Sequence, residues 1–194
     1  NARLRRNIRP LADRGWSFDL QVFASQMADA ARLAAANRDI TFVLQHAGML
    51  EDLTPAGRRA WREGMERLAD QETIVSKFSG LGTFIHRNDP AHIKDVVLET
   101  VAMFGADRCL FGSNFPIEKL WTSYAELVAA HRAAHHALAG LPAADALAHR
   151  RDLARKLRPR AGRGGGRAAW PQRRAANQLA AVGAGRSHGH RHLA

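Results

Sequence analysis

Apolar residues recur along this chain in two alternating periods. From Asn1 to Arg14 they fall at Leu4, Ile8 and Leu11 with arginines between them, the spacing of a helix with one buried stripe, and Gly15 stands where a C-terminal cap is expected. Ser17 to Phe23 alternates, with Phe18, Leu20 and Val22 on one side and Asp19, Gln21 and Phe23 on the other, and reads as a strand. Gln26 to Asn37 returns to the helical period through Met27, Ala30, Ala31 and Ala34. Ile40 to His46 predicts a second strand that closes on the polar pair Gln45 and His46. Thr54-Pro55 opens a helix with proline at its first position and Trp61, Met65 and Leu68 on its buried face. Thr73 to Ser79 predicts a third strand, and Asp89-Pro90 opens a helix carrying Ile93, Val97 and Val101. Cys109 to Phe111 is a fourth, short apolar run. Tyr124, Leu127, Val128 and His131 mark a further helix, and Leu141 to Leu157 one more.

Strand and helix thus alternate about four times with short connections, which predicts an α/β fold with a parallel sheet whose strands neighbour one another in chain order. Two architectures fit: an open doubly wound sheet, or the C-terminal half of a (β/α)8 TIM barrel. No glycine-rich phosphate loop follows any strand, which argues against the nucleotide-binding version. A whole barrel needs eight strands and roughly 250 residues, so 194 residues with four strands correspond to about half of one. The chain opens on Asn1, inside a helical pattern, so its first residue is not expected to be the natural N-terminus. The expected organisation is a partial barrel domain over residues 1–157 and a basic tail over 158–194.

Charge sharpens that division. The formal net charge is +11, but Arg155, Lys156, Arg158, Arg160, Arg163, Arg167, Arg173, Arg174, Arg186 and Arg191 follow the last acid, Asp152, so residues 1–154 carry only +1. The tail, with Arg163-Gly-Gly-Gly-Arg167 and almost no apolar period, is expected to be disordered, and its Ala/Arg/Gly/Pro/His mixture is also what GC-rich DNA encodes out of frame. One cysteine excludes an internal disulfide and suits a reducing, cytoplasmic setting. No apolar run approaches the ~20 residues of a membrane span, and no signal peptide opens the chain.

The residues able to carry chemistry stand at the strand ends, where a parallel barrel collects its site. Asn114 follows the fourth strand in Cys109-Leu-Phe-Gly-Ser-Asn-Phe-Pro116, either as a site residue or as an Asx turn capping the next helix. His46 closes an apolar strand beside Gly48. It can take a proton from water or bind a metal, or it is a histidine satisfied by a neighbouring carbonyl. Lys77 lies in a buried strand and must find a partner there: a substrate carbonyl or carboxylate, or a structural ion pair. Gln45, His86 and Arg87, with Ser25, Gln26, Asn88, Asp89, Glu118 and Lys119, are the further polar groups at strand ends. His131 and His135 have an i, i+4 spacing that can hold a metal, without a third ligand in register. His188, His190 and His192 lie in the tail and are at most incidental metal binders.

Three blocks, Val43-Leu-Gln-His46-Ala-Gly48, Lys77-Phe-Ser-Gly-Leu81, and Phe104-Gly-Ala-Asp-Arg108 through Leu110-Phe-Gly-Ser-Asn-Phe-Pro116, resemble in this order and spacing the amidohydrolase-related family. This second amidohydrolase family comprises TIM-barrel metal-dependent hydrolases and includes sugar lactonases and the pyrone dicarboxylate lactonase. The resemblance covers about residues 1–157 and implies that the four strands are the fifth to eighth of the barrel. It implies a divalent metal, usually zinc, held by a His-x-His pair on the first strand, histidines on the fifth and sixth, and an aspartate on the eighth. His46 matches the sixth-strand histidine, as catalytic base and metal ligand. Asn114 stands where the aspartate would be, and the fifth-strand histidine position falls near Ala24 or Ser25, so those two ligands are not present.

What the resemblance implies is a hydrolase in which water attacks the carbonyl of a lactone or ester, less readily of an amide, in a small carboxylated or sugar substrate. His46 would be the base, Asn114 would hydrogen-bond the carbonyl or the water, and Lys77, His86, Arg87 and Gln45 would hold the substrate. Lacking the first four strands, the chain is expected to be inactive alone, and its two open strand edges make a homo-oligomer an expected state. A metal-dependent decarboxylase or hydratase on the same barrel is the alternative within the class. Outside it stands a non-catalytic fragment whose basic tail binds nucleic acid, although the tail offers no aromatic stacking beyond Trp170 and no recognised motif.

Overall fold

The computed structural model describes residues 2–139. The domain boundary at 157, the expected helix over Leu141 to Leu157, the basic segment 158–194 and its three histidines lie outside the described residues. Within them the order is α1 (Ala2–Asp13), β1 (Phe18–Leu20), α2 (Met27–Ala35), β2 (Phe42–Leu44), α3 (Pro55–Ala69), β3 (Ile74–Phe78), α4 (Pro90–Phe104), β4 (Cys109–Phe111) and α5 (Tyr124–Ala139). The four strands form one sheet in the order β1-β2-β3-β4, every pair parallel.

Register explains which residues are buried. Phe18, Phe42 and Ile74 lie side by side, as do Leu20, Leu44, Ser76 and Cys109, and Phe78 faces Phe111. These rows, with the exception of Ser76 and Phe111, join Met27, Ala30, Trp61, Met65, Leu68, Ile93, Val97 and Phe104 in the core. The alternate rows, Asp19–Val43–Val75 and Lys77–Leu110, point to the other side. There Asp19 is exposed and Val43, Lys77 and Leu110 are half-buried. Successive right-handed crossovers in one direction place every helix on the same face, and α2 packs on α3, α3 on α4 and α4 on α5. Strand order without a reversal, and helices on one face, make this an arc of a (β/α)8 barrel and not a doubly wound sheet.

The helix starts follow the predicted chemistry. The Thr54 hydroxyl accepts the Gly57 N–H at 3.1 Å, and the Asp89 carboxylate accepts those of Ala91 and His92 at 3.0 and 3.1 Å, each just before a proline. Gly15, at φ +62°, closes α1. The stripe of α1 is shorter than its spacing predicts: Ile8 is buried, but Leu4 stays 42% exposed. Arg108 gives the Phe104–Arg108 block a structural purpose. Its guanidinium donates to the carbonyls of Ala69, Gln71, Ile74 and Phe104, tying the ends of α3 and α4 to the entry of β3. Burial pushes the Cys109 thiol up to about 12, so it stays a neutral thiol, a packing residue beneath the helices.

Three predicted strands are longer than those formed. The first ends at Leu20 instead of Phe23, because the Phe23 N–H is taken by Gln26 Oε1 at 3.1 Å as the chain tightens into a 3₁₀ turn. The second ends at Leu44 because His46 and Ala47 turn left-handed. The third runs from Ile74 to Phe78, one residue short at each end.

His131 and His135 do not face one metal. His131 is buried edge-on against the Phe111 ring, centroids 4.9 Å apart, whereas His135 is exposed beside His136. His131 Nε2 is buried without a partner among the described residues, and desolvation lowers its pKa to about 4. A folded-state pKa below the unfolded value means the unfolded chain binds the proton first. The stability is therefore present above pH 6.5 and lost as pH falls through 4. At about 1.4 kcal/mol per pH unit, wild-type protein should lose roughly 3 kcal/mol by pH 4 from this residue. Urea unfolding at pH 7 and pH 4 should show that loss shrink in His131→Phe; an equal loss in both proteins would remove His131 as its source.

Candidate active site

Beyond the ends of β2, β3 and β4 three loops converge, and the backbone there is unlike the rest. His46, Ala47, Met49, His86 and Asn114 all have positive φ, and they are the non-glycine residues that do so among the described residues. Such conformations cost of order 1–3 kcal/mol each and persist where the surroundings enforce them. Around His46 the enforcement is visible. The buried Trp61 indole N–H donates to the Ala47 carbonyl at 2.9 Å, and any Cβ at Gly48 would run into Met27 and Met65.

The turn decides where His46 points. Phe42 and Leu44 face the helices, so an extended chain would send His46 into the same layer. At φ 56° and ψ 35° its ring instead swings over the end of β3. His46 Nδ1 lies 3.1 Å from the Ser79 carbonyl oxygen and 2.9 Å from Ser79 Oγ. A carbonyl only accepts, so Nδ1 carries the hydrogen and Nε2 holds a free lone pair. Burial lowers the His46 pKa, and the Lys77 charge adds to this, against the Ser79 hydrogen bond and the Glu118 charge. The imidazole is neutral at pH 7.

Lys77 sits on the face of the sheet that carries no helix. It is half-buried, not buried as expected from its strand, and it makes no ion pair or hydrogen bond among the described residues. Gly112 leaves room along its stem: a Cβ there would lie 3.3 Å from Lys77 Cδ. Asn114, at φ 55°, joins His46 around Gly80. A Cβ on Gly80 would stand 2.7 Å from His46 Nδ1 and 3.0 Å from Asn114 Nδ2. His46, Lys77 and Asn114 therefore share one rim.

The other candidates are placed differently. Gln45 is buried, and its Nε2 donates to the Val43 carbonyl at 3.1 Å, which holds the turn. His86 is exposed and stacks on Trp121 with centroids 5.4 Å apart. Arg87 is exposed and pairs at 3.3 Å with Asp89, the cap of α4. Ser25 lies exposed in the turn after β1. The residue that sequence reasoning left among the loop polars is Glu118. It is fully buried, and its carboxylate accepts from Thr83 Oγ1 at 3.0 Å, Asn114 Nδ2 at 3.2 Å and Trp121 Nε1 at 2.6 Å. Its position four residues after Asn114 was the available signal.

A family model described as Amidohydrolase matches residues 1–181. The chain belongs to the amidohydrolase family. Among curated relatives, L-fucono-1,5-lactonase of Burkholderia multivorans is 30% identical over 132 residues, 63% of this chain and 45% of its own length. An uncharacterized protein of Sinorhizobium fredii is 39% identical over 120 residues, 62% of this chain and 40% of its length. The chain thus spans less than half of each. The solved structure of an amidohydrolase from Burkholderia multivorans with bound HEPES superimposes at a TM-score of 0.66 and 27% identity. That match covers 80% of this chain and 57% of that one. A second structure of that amidohydrolase, with bound zinc, matches at the same TM-score and identity over 76% and 54%.

Zinc in that relative poses a test for the donor set here. Among the described residues no three His, Cys, Asp or Glu side chains come together to hold a metal ion. His46 offers one nitrogen, Asn114 is neutral, and three hydrogen-bond donors already occupy the Glu118 oxygens. On their own, these residues do not fit a divalent metal.

Gly80→Ala tests the imidazole's anchor. Its φ of +59° and the 2.7 Å approach to Nδ1 predict a ring displaced from Ser79, with about 1–3 kcal/mol lost. Nitrogen NMR of His46 should show the Nδ1–H tautomer lost in the variant; an unchanged tautomer would mean that Ser79 does not hold the ring.

Proposed function

We propose that this chain supplies the water-activating side of a hydrolase site that opens a lactone or ester of a small carboxylated or sugar substrate. One observation carries the reading: the His46 ring is held through Nδ1 with Nε2 unprotonated and free, on the rim shared by Lys77 and Asn114. Similarity to an L-fucono-1,5-lactonase supports the lactone as the bond opened.

The chemistry follows from those groups. His46 Nε2 takes a proton from water as the water oxygen bonds to the lactone carbonyl. The ring oxygen then leaves with that proton, giving a hydroxy acid. Lys77 holds negative charge, either the oxygen of the tetrahedral intermediate or a carboxylate of the substrate, and no ion pair among the described residues engages it. Asn114 orients the water or a substrate hydroxyl, and His86 and Arg87 lie outward for the far end of the substrate.

The test uses the longest natural protein containing this chain, assayed on sugar and aromatic lactones. His46→Gln should reduce kcat/KM by about 100-fold or more while the unfolding midpoint stays within a few degrees. Lys77→Met should raise KM roughly tenfold for carboxylated lactones and little for neutral ones. Full activity in His46→Gln would remove this mechanism.

A further inference from the structure

We propose that Glu118 sets the polarity of Asn114, so that the loop after β4 presents the acceptor Oδ1 to the site and takes a hydroxyl or water proton, not a carbonyl oxygen. Glu118 is a positioning residue here, acting through Asn114. An ionised carboxylate accepts only, and this one is fully buried with three donors on it: the Thr83 hydroxyl, the Asn114 amide N–H and the Trp121 indole N–H. Turning the Asn114 amide over would bring its carbonyl against the carboxylate where no water screens the repulsion. One orientation is therefore enforced. It leaves Oδ1 on the far edge of a half-buried side chain, with no hydrogen-bond donor among the described residues.

The placement makes that edge useful. Asn114 and His46 flank Gly80 together, with Nδ2 on the Gly80 side, so the amide that carries the acceptor Oδ1 sits beside the imidazole. Lactones bearing a hydroxyl next to the ester, as sugar lactones do, can meet it with a proton, and unsubstituted lactones cannot. The negative charge of this corner stands four residues after Asn114 and behind it, so an aspartate at 114 would face Glu118 carboxylate to carboxylate. What Oδ1 is used for rests on the hydrolase reading; the polarity does not.

The experiment is a charge swap in the same natural protein. Asn114→Asp should lower the thermal unfolding midpoint by several degrees through like-charge repulsion. Asn114→Asp combined with Glu118→Gln should regain most of it, because the hydrogen bond re-forms in reverse: the new amide donates, the Thr83 hydroxyl turns to accept, and Trp121 keeps an acceptor. If Asn114→Asp does not fold, folding of the double variant carries the same meaning. Additive losses, or a double variant that also fails to fold, would overturn the proposal. In turnover, Glu118→Gln should lower kcat/KM for a hydroxylated sugar lactone about tenfold, spare its deoxy analogue, and cost nothing further in the Asn114→Ala background. An equal loss in that background would overturn the positioning role. A wild-type protein that opens no lactone would defeat the hydrolase reading instead, and the unfolding cycle alone would decide the polarity.

Discussion

Every strand of this sheet sends alternate side chains beneath the helices, and the parallel register aligns those side chains into continuous rows. Phe18, Phe42 and Ile74 form one row, and Leu20, Leu44, Ser76 and Cys109 the next. Fully burying a side chain of the Leu or Phe kind contributes about 1.5–3 kcal/mol, so a slip of one residue would expose a whole row and draw Asp19 and Lys77 inward. The same constraint selects Trp61, Met65, Leu68, Ile93 and Val97 as helix faces. It also leaves the opposite face of the sheet for residues that need no helix over them. Lys77 stands there, with no ion pair among the described residues.

Above this layer the loops obey a different logic. The non-glycine residues with positive φ gather beyond β2, β3 and β4, where backbone strain is held by groups drawn from the core and the neighbouring loops. Trp61 reaches from α3 to the Ala47 carbonyl, Ser79 receives the His46 ring, and Gly80 admits both His46 and Asn114 without a Cβ between them. The chemistry of the site thus borrows its precision from the packed layer below, the expected division of labour in a barrel.

Membership in the amidohydrolase family makes Asn114 and Glu118 the informative pair. The family resemblance predicts an acid at 114, and the chain has an amide there with an acid four residues later. Glu118 binds donors from the loop after β3, from Asn114 and from Trp121, on which His86 stacks. Charge at this corner is retained but withdrawn from the surface, so what the corner presents is a hydrogen-bonding edge in place of a negative ligand. No helix of the described residues is long and apolar enough to cross a membrane.

The sequence by itself determined the order of strands and helices, the helix caps at Thr54 and Asp89, most of the buried positions, the family, and the residues crowding the strand ends. These are properties of local spacing and of residue types, and a single chain displays them directly. Strand ends were overestimated because alternation continues into residues whose backbone has already left the ladder, as at Val22 and Gln45. Only the tertiary structure decided that His46 turns away from the helices onto Ser79, that Lys77 finds no ion pair among the described residues while Gln45 and Arg87 are committed to local partners, and that Glu118 is buried against Asn114. The His46–Ser79 and Thr83–Glu118 contacts join loops more than 30 residues apart, and neither they nor the left-handed turn at His46 leaves a period in the sequence to read.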